Sequence, residues 1–131
     1  QELRLQDGRQ VAEAVADVVN SWAMSRRGAS GYASVGAVVG ATYPEALVSL
    51  RRRLPGVWLL MPGVGAQGAS PEALAPAFDR EGLGGLVSVS RSLLEAWRQH
   101  GGDPRDWATA AATAASRLRE ALERVRKAAS R

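Results

Sequence analysis

Two stretches of this chain carry residue types that could do chemistry on a ligand: Pro62-Gly63-Val64-Gly65-Ala66-Gln67-Gly68 and Ser90-Arg91-Ser92. The glycines of the first let backbone N–H groups approach an anion closely. Gln67 adds an amide that both donates and accepts. Arg91 offers a fork of donors that fits a phosphate bidentately. The rest of the reactive inventory is sparse. There is no cysteine, a single histidine (His100), and one lysine (Lys127) among 17 basic residues. His100 has no second ligand beside it, so no metal site is expected. No serine, histidine and aspartate are spaced as a nucleophilic triad. Lys127 is the only ammonium available for proton transfer or Schiff-base chemistry, and it sits near the end of a helical stretch. The chain is equipped to grip phosphate.

The elements that must position these residues can be read from hydrophobic spacing. Asp7 is a plausible N-cap for a helix from about Gly8 to Met24, whose apolar stripe runs Val11, Val15, Val18, Val19 and Trp22. Ser34 to Ala41 is a short apolar run of small residues, as expected of a strand buried on both faces. Thr42 and Glu45 make a capping box, with Pro44 in the first turn of a helix ending near Arg53. Val57 to Met61 is a second apolar strand, followed by the glycine-rich loop. Ser70-Pro71-Glu72 repeats the capped opening, for a helix reaching about Arg80. Leu86 to Ser90 is the third strand and Ser92 to Gln99 a short helix. Asp103-Pro104 opens a long final helix with a stripe of Trp107, Ala111, Ala114, Leu118, Leu122 and Val125. All four tryptophans are assigned to apolar, core-facing positions.

Alternating helices and two-sided strands predict an α/β fold with three parallel strands and four or five helices. The three strands are few for a parallel sheet and leave two open edges. A complete (β/α)8 barrel takes about 250 residues, so the 131 residues here read as one domain-sized part, 1–131, of such a barrel. In parallel α/β folds, ligands bind at the carboxyl ends of the strands, where Gly40-Ala41-Thr42, the 62–68 loop and Ser90-Arg91 converge.

The net charge of +4 resides in the last fifteen residues, where six cations face Glu120 and Glu123. One terminal helix with carboxylates placed ahead of its cations is the pattern of a solvated helix face, so no nucleic-acid partner is expected. No apolar run approaches the length of a membrane span, and no membrane partner is expected. A cytoplasmic location follows as the default expectation.

Pro62-Gly63-Val64-Gly65-Ala66-Gln67-Gly68, preceded by Val39-Gly40-Ala41-Thr42 with Pro44-Glu45 and followed by Ser90-Arg91, resembles orotidine 5′-phosphate decarboxylase. The likeness is to the C-terminal part of the barrel, in the bacterial branch that carries VVGATYPE and PGVGAQG, and runs from about Leu3 to the last helix. The resemblance implies a homodimeric (β/α)8 barrel that converts orotidylate (OMP) to uridylate (UMP) and CO2 in pyrimidine biosynthesis without metal or cofactor. It implies that Gln67 bridges the phosphate and the pyrimidine. It also implies that Arg91 clamps the phosphate with the backbone N–H groups of Ser90 and Arg91, and that Pro62 and Val64 line the pyrimidine pocket. Ser92 stands where the family usually has glycine, and Ser88 where this branch often has asparagine.

The family's catalytic Asp-x-Lys-x-x-Asp motif does not occur in these residues, so the resemblance implies that the N-terminal half of the barrel is a missing partner and that this chain alone is inactive. Two alternatives remain open: a non-catalytic phosphate- or nucleotide-binding module, and an interaction domain that uses the basic final helix.

Overall fold

The computed structural model describes residues 3–41, 43–65, 69–99 and 102–130. Helix α1 (Val11–Met24) leads into β1 (Gly36–Val38), α2 (Pro44–Arg53) and β2 (Trp58–Pro62). A 3-10 helix (Pro71–Ala77) leads to β3 (Gly85–Ser88), the short α3 (Arg91–Leu94) and the long α4 (Trp107–Ala129). The three strands pair in parallel in the order β1-β2-β3, with Ala37 beside Leu59 and Met61 beside Val87. The predicted α/β architecture of three parallel strands is therefore present. Backbone bonds from Ala33 to Gly56 (2.8 Å), Val39 to Leu60 (2.9 Å) and Ala41 to Pro62 (3.1 Å) extend the β1–β2 ladder beyond the three residues of β1.

Several boundaries differ from the sequence reading, each for a physical reason. Gln10, not Asp7, precedes α1, and its backbone N–H donates to Glu13 Oε2 (3.4 Å). Asp7 instead accepts from the backbone and guanidinium of Arg9, at 3.0 and 2.9 Å, and so closes the turn at Gly8. Tyr43 precedes α2, with Pro44 in its first turn; Thr42 lies outside the described residues. The expected helix from Ser70 to Arg80 is a 3-10 segment ending at Ala77, because Pro76 falls inside it. A proline there has no N–H to give and crowds the carbonyl four residues back. Asp103 caps a 3-10 turn over Pro104–Asp106 by accepting from the Arg105 amide (2.8 Å), and α4 follows directly.

The strands are not buried on both faces. Leu59 and Met61 are fully buried and pack with Leu47, Leu50, Leu54, Val57 and Leu74, with Ala37, Val87, Leu118 and Leu122 against them. The helices cover this face alone. On the other face Val38, Leu60 and Leu86, aligned across the three strands, are exposed, Val38 by 70%. The tryptophans divide as well. Trp58 is half-buried and its ring centroid lies 4.5 Å from that of Tyr32, whereas Trp22 and Trp107 are exposed.

At the amino-terminal ends of the strands, Tyr32, Leu54 and Gly84 are tied together. The Tyr32 hydroxyl donates to Asp79 Oδ2 (2.5 Å), and Asp79 Oδ1 accepts from the amides of Glu81 (2.9 Å) and Leu83 (2.8 Å). The Arg51 guanidinium donates to the carbonyls of Leu54 and Ala77. Burial and the Asp79 carboxylate together push the Tyr32 hydroxyl well above its ordinary range. Burial raises the Asp79 carboxyl, but the Tyr32 hydroxyl, the two amides and Arg51 outweigh it and hold the group below its usual value.

A group whose folded pKa is depressed stabilises the fold above its unfolded pKa, and that contribution is lost as pH falls through the folded value. The stability gap between the wild type and Asp79→Asn is therefore expected to narrow as pH drops from about 6 to about 3, across the ordinary aspartate range. Thermal unfolding of both proteins at several pH values checks this; a gap that stays constant contradicts it.

Candidate phosphate site

The loop after β2 and the turn after β3 meet at the carboxyl end of the sheet. Gly63 and Gly65 take positive φ (114° and 77°), which lets the loop turn sharply as it leaves β2. The Gly65 amide donates to the Ala69 carbonyl (3.1 Å), and Val64 bridges Ala69 in parallel, so the base of the loop is pinched shut. Ala66, Gln67 and Gly68, which include the amide expected to reach the phosphate, lie outside the described residues. His100 does as well.

Across from the loop, Ser90 precedes α3 and its carbonyl accepts from the Leu93 and Leu94 amides, both at 3.0 Å. Arg91 is the first residue of α3. It lines an open cleft of about 500 Å³ together with Gly65, Ser92, Glu95, Arg98 and Gln99. Ser92 packs directly on the loop: a Cβ at Gly65 would lie 3.0 Å from Ser92 Oγ. Glycine at 65 is thus required by the backbone and by the neighbouring hydroxyl together. The structure brings Arg91 to the glycine loop, as the spacing predicts, and seats Ser90 at the turn that aims it.

Pro62 and Val64 sit elsewhere. Pro62 ends β2, beside Ser88 and half-buried, and Val64 is buried in the hydrophobic core. Neither lines the cleft around Arg91. Sequence reasoning missed Glu95, Arg98 and Gln99. Their signal was present, because positions 91, 95, 98 and 99 recur at three- and four-residue spacing and so share one side of a helical stretch. The predicted helix over Ser92–Gln99 is split between α3 and a 3-10 turn at Ala96–Arg98, and the cleft residues remain together. The Arg98 guanidinium also lies 5.2 Å from the Trp97 ring centroid. Among the described residues, no three histidine, aspartate or glutamate side chains converge as a metal site.

The surrounding architecture has counterparts of known identity. The chain is 40% identical over 121 residues to orotidine 5′-phosphate decarboxylase of Rhodopirellula baltica, an alignment covering 89% of this chain and 40% of that protein. It is 44% identical over 126 residues to the enzyme of the same name from Roseiflexus castenholzii, covering 93% of this chain and 41% of the relative. The chain is homologous to part of orotidine 5′-phosphate decarboxylase. The solved OMP decarboxylase of Leishmania donovani superposes with a TM-score of 0.66 at 37% identity, over 95% of this chain and 41% of that one. No protein-family model matches the sequence.

The chain thus spans about two fifths of the length of these curated relatives, and its three-stranded sheet is a partial barrel. That explains the two-sided apolar character of the strands. In a closed barrel the face carrying Val38, Leu60 and Leu86 points inward, which accounts for apolar side chains on both faces of these strands. Among the described residues, no helix is long and apolar enough to cross a membrane.

Proposed function

We propose that these residues form the C-terminal, phosphate-gripping part of an orotidine 5′-phosphate decarboxylase. The complete barrel, a homodimer in the cytoplasm, would convert OMP to UMP and CO2 in pyrimidine biosynthesis. The observation that carries this reading is the placement of Arg91: it opens α3 directly after β3 and shares one cleft with Gly65 of the glycine-rich loop after β2. A guanidinium beside a glycine loop at the carboxyl end of a parallel sheet is built for a phosphate monoester. Backbone N–H groups of Ser90 and Arg91 stand at the start of a helix, where no intrahelical carbonyl uses them. On the family resemblance Gln67 is assigned to bridging phosphate and pyrimidine, and Pro62, half-buried at the end of β2, to the side of the base, whereas Val64 is packed into the core and supports the loop from beneath.

The phosphate grip binds a part of the substrate remote from the bond that breaks. Binding energy gained there holds the reacting group in position and supports chemistry performed by other residues. This chain supplies that hold. It carries no Asp-x-Lys-x-x-Asp segment, and its only lysine, Lys127, lies on α4. By itself it should bind the nucleotide and leave it intact, and turnover of OMP by the purified chain would contradict that assignment.

Arg91→Ala tests the grip. Hydrogen bonds to a charged group contribute about 1.5–3 kcal/mol, so UMP affinity measured by calorimetry should fall roughly 10- to 150-fold. An unchanged affinity overturns the reading.

A further inference from the structure

The cleft at the carboxyl end of the sheet holds more charge than a grip on one phosphate uses. Arg91 and Ser92 meet the glycine loop at Gly65, and Glu95, Arg98 and Gln99 continue the same wall. Two guanidiniums and one carboxylate therefore share a space of about 500 Å³, a volume that takes a small molecule. Positions 91 and 98 are two helical turns apart, about 10 Å along the axis. One phosphate held by Arg91 leaves the Arg98 end of the cleft unused.

Arg98 is set firmly in the backbone and loosely in its side chain. Its amide donates to the Glu95 carbonyl (3.0 Å), and the 3-10 turn at Ala96–Arg98 packs on α4. Gly102 presses against the Trp97 carbonyl, so the returning chain closes over the same turn. The guanidinium, in contrast, has no tight partner in the cleft. It stands 3.8 Å from Glu95, whereas Glu123 and Arg126, at the same three-residue spacing on α4, close to 2.9 Å. The Trp97 ring, 5.2 Å away, holds the Arg98 guanidinium instead.

Glu95 and Arg98 are 52% and 62% exposed, so their attraction is weak in water and little is lost when it is given up. A phosphate oxygen offers the guanidinium a better, bidentate partner. Glu95 repels any anion beside it, which makes Arg98 the group that decides whether a second phosphate is tolerated there.

We propose that Arg98 takes a second phosphate group, so that the grip accepts a pyrimidine nucleoside diphosphate in competition with the monophosphate. The proposal rests on the phosphate-grip reading above and extends it from one phosphate to two. The ester phosphate stays with Arg91 and the glycine loop. The terminal phosphate extends along the helical stretch to Arg98, with the Gln99 amide as a neutral donor, while Glu95 limits how tightly it is held.

The test is calorimetric titration of the full chain with UMP and with uridine diphosphate (UDP), in buffer without divalent cations. The wild type is expected to bind UDP at least as tightly as UMP, and UDP should be displaced by UMP. Arg98→Ala should lower the UDP-to-UMP affinity ratio about five- to tenfold, between the effect of an exposed ion pair and that of a charged hydrogen bond. Glu95→Gln should raise the ratio about two- to fivefold, a gain that no folding defect can imitate. The proposal is overturned if UDP binds far more weakly than UMP, if UMP fails to displace it, or if either substitution leaves the ratio unchanged. Arg91→Ala tells the two ideas apart. Should UMP affinity depend on Arg91 while the ratio ignores Arg98, only the second phosphate is lost. Should UMP affinity ignore Arg91, the phosphate-grip reading falls and this one with it.

Discussion

Gly84→Ala should lower the stability of the chain by about 2–4 kcal/mol, combining a strained backbone with the loss of a partly buried polar contact. Gly84 leaves the turn before β3 with φ +90°, a conformation that side-chain-bearing residues rarely adopt. Its added Cβ would stand 2.6 Å from the Tyr32 hydroxyl and 2.7 Å from Arg51 Nη1. Neither group can move freely. Tyr32 is held by Asp79 and packed on Trp58, and Arg51 is held by the Leu54 carbonyl. The Gly84 carbonyl also accepts from the Leu59 amide at 2.8 Å, so any shift of the turn pulls on the central strand.

Two comparisons isolate the cause. Gly31→Ala, at φ +78° with nothing near the new methyl, should cost only the backbone strain, about 1 kcal/mol. In a Tyr32→Phe background the Gly84→Ala penalty should shrink, since the crowded oxygen is gone. Denaturant unfolding of the five proteins, wild type and Tyr32→Phe included, reads both. Equal penalties for Gly31→Ala and Gly84→Ala would show that crowding plays no part.

This cluster was invisible in the sequence, and the reason is distance along the chain. Tyr32 and Asp79 are far apart in sequence, and nothing local marks either as a partner. What was legible was local or periodic. Pro44 and Pro104 mark helix starts, the runs at 34–41 and 57–61 mark strands, and Arg91 falls where a strand must hand over to a helix. These signals bring Arg91 and the glycine loop together at the carboxyl end of the sheet, and there the structure has them share one cleft.

The errors share a different origin. Periodicity reports that a face is apolar and says nothing of what covers it. Val15, Val18 and Trp22 read as core because their spacing is that of a buried stripe, yet the sheet meets Ala16 and Ala23 instead. Val38, Leu60 and Leu86 read as buried for the same reason. Pro76 was the one local signal that outweighed the apolar pattern around it, and it turned an expected α-helix into a 3-10 segment.

The sharpest test of this one-sided sheet lies in two adjacent leucines of β2. Leu59→Ala should destabilise the chain by about 2–5 kcal/mol, the usual cost of emptying a closely packed core site. Leu59 is fully buried beside Ala37 and Gly85, among side chains from the helix layer that cannot collapse into the gap. That loss is a large part of the roughly 5–15 kcal/mol available to a small domain. Leu60→Ala, one residue along and pointing to the exposed face with Val38 and Leu86, should cost about 1 kcal/mol or less, since little apolar area leaves the interior. Thermal unfolding of the pair measures the contrast directly. The same substitutions made in a complete barrel should lose it, because closure buries Leu60 as deeply as Leu59. The gap between two neighbouring leucines thereby reports whether the inner face of the sheet is covered, and equal costs in this chain would mean that its exposed face is already packed.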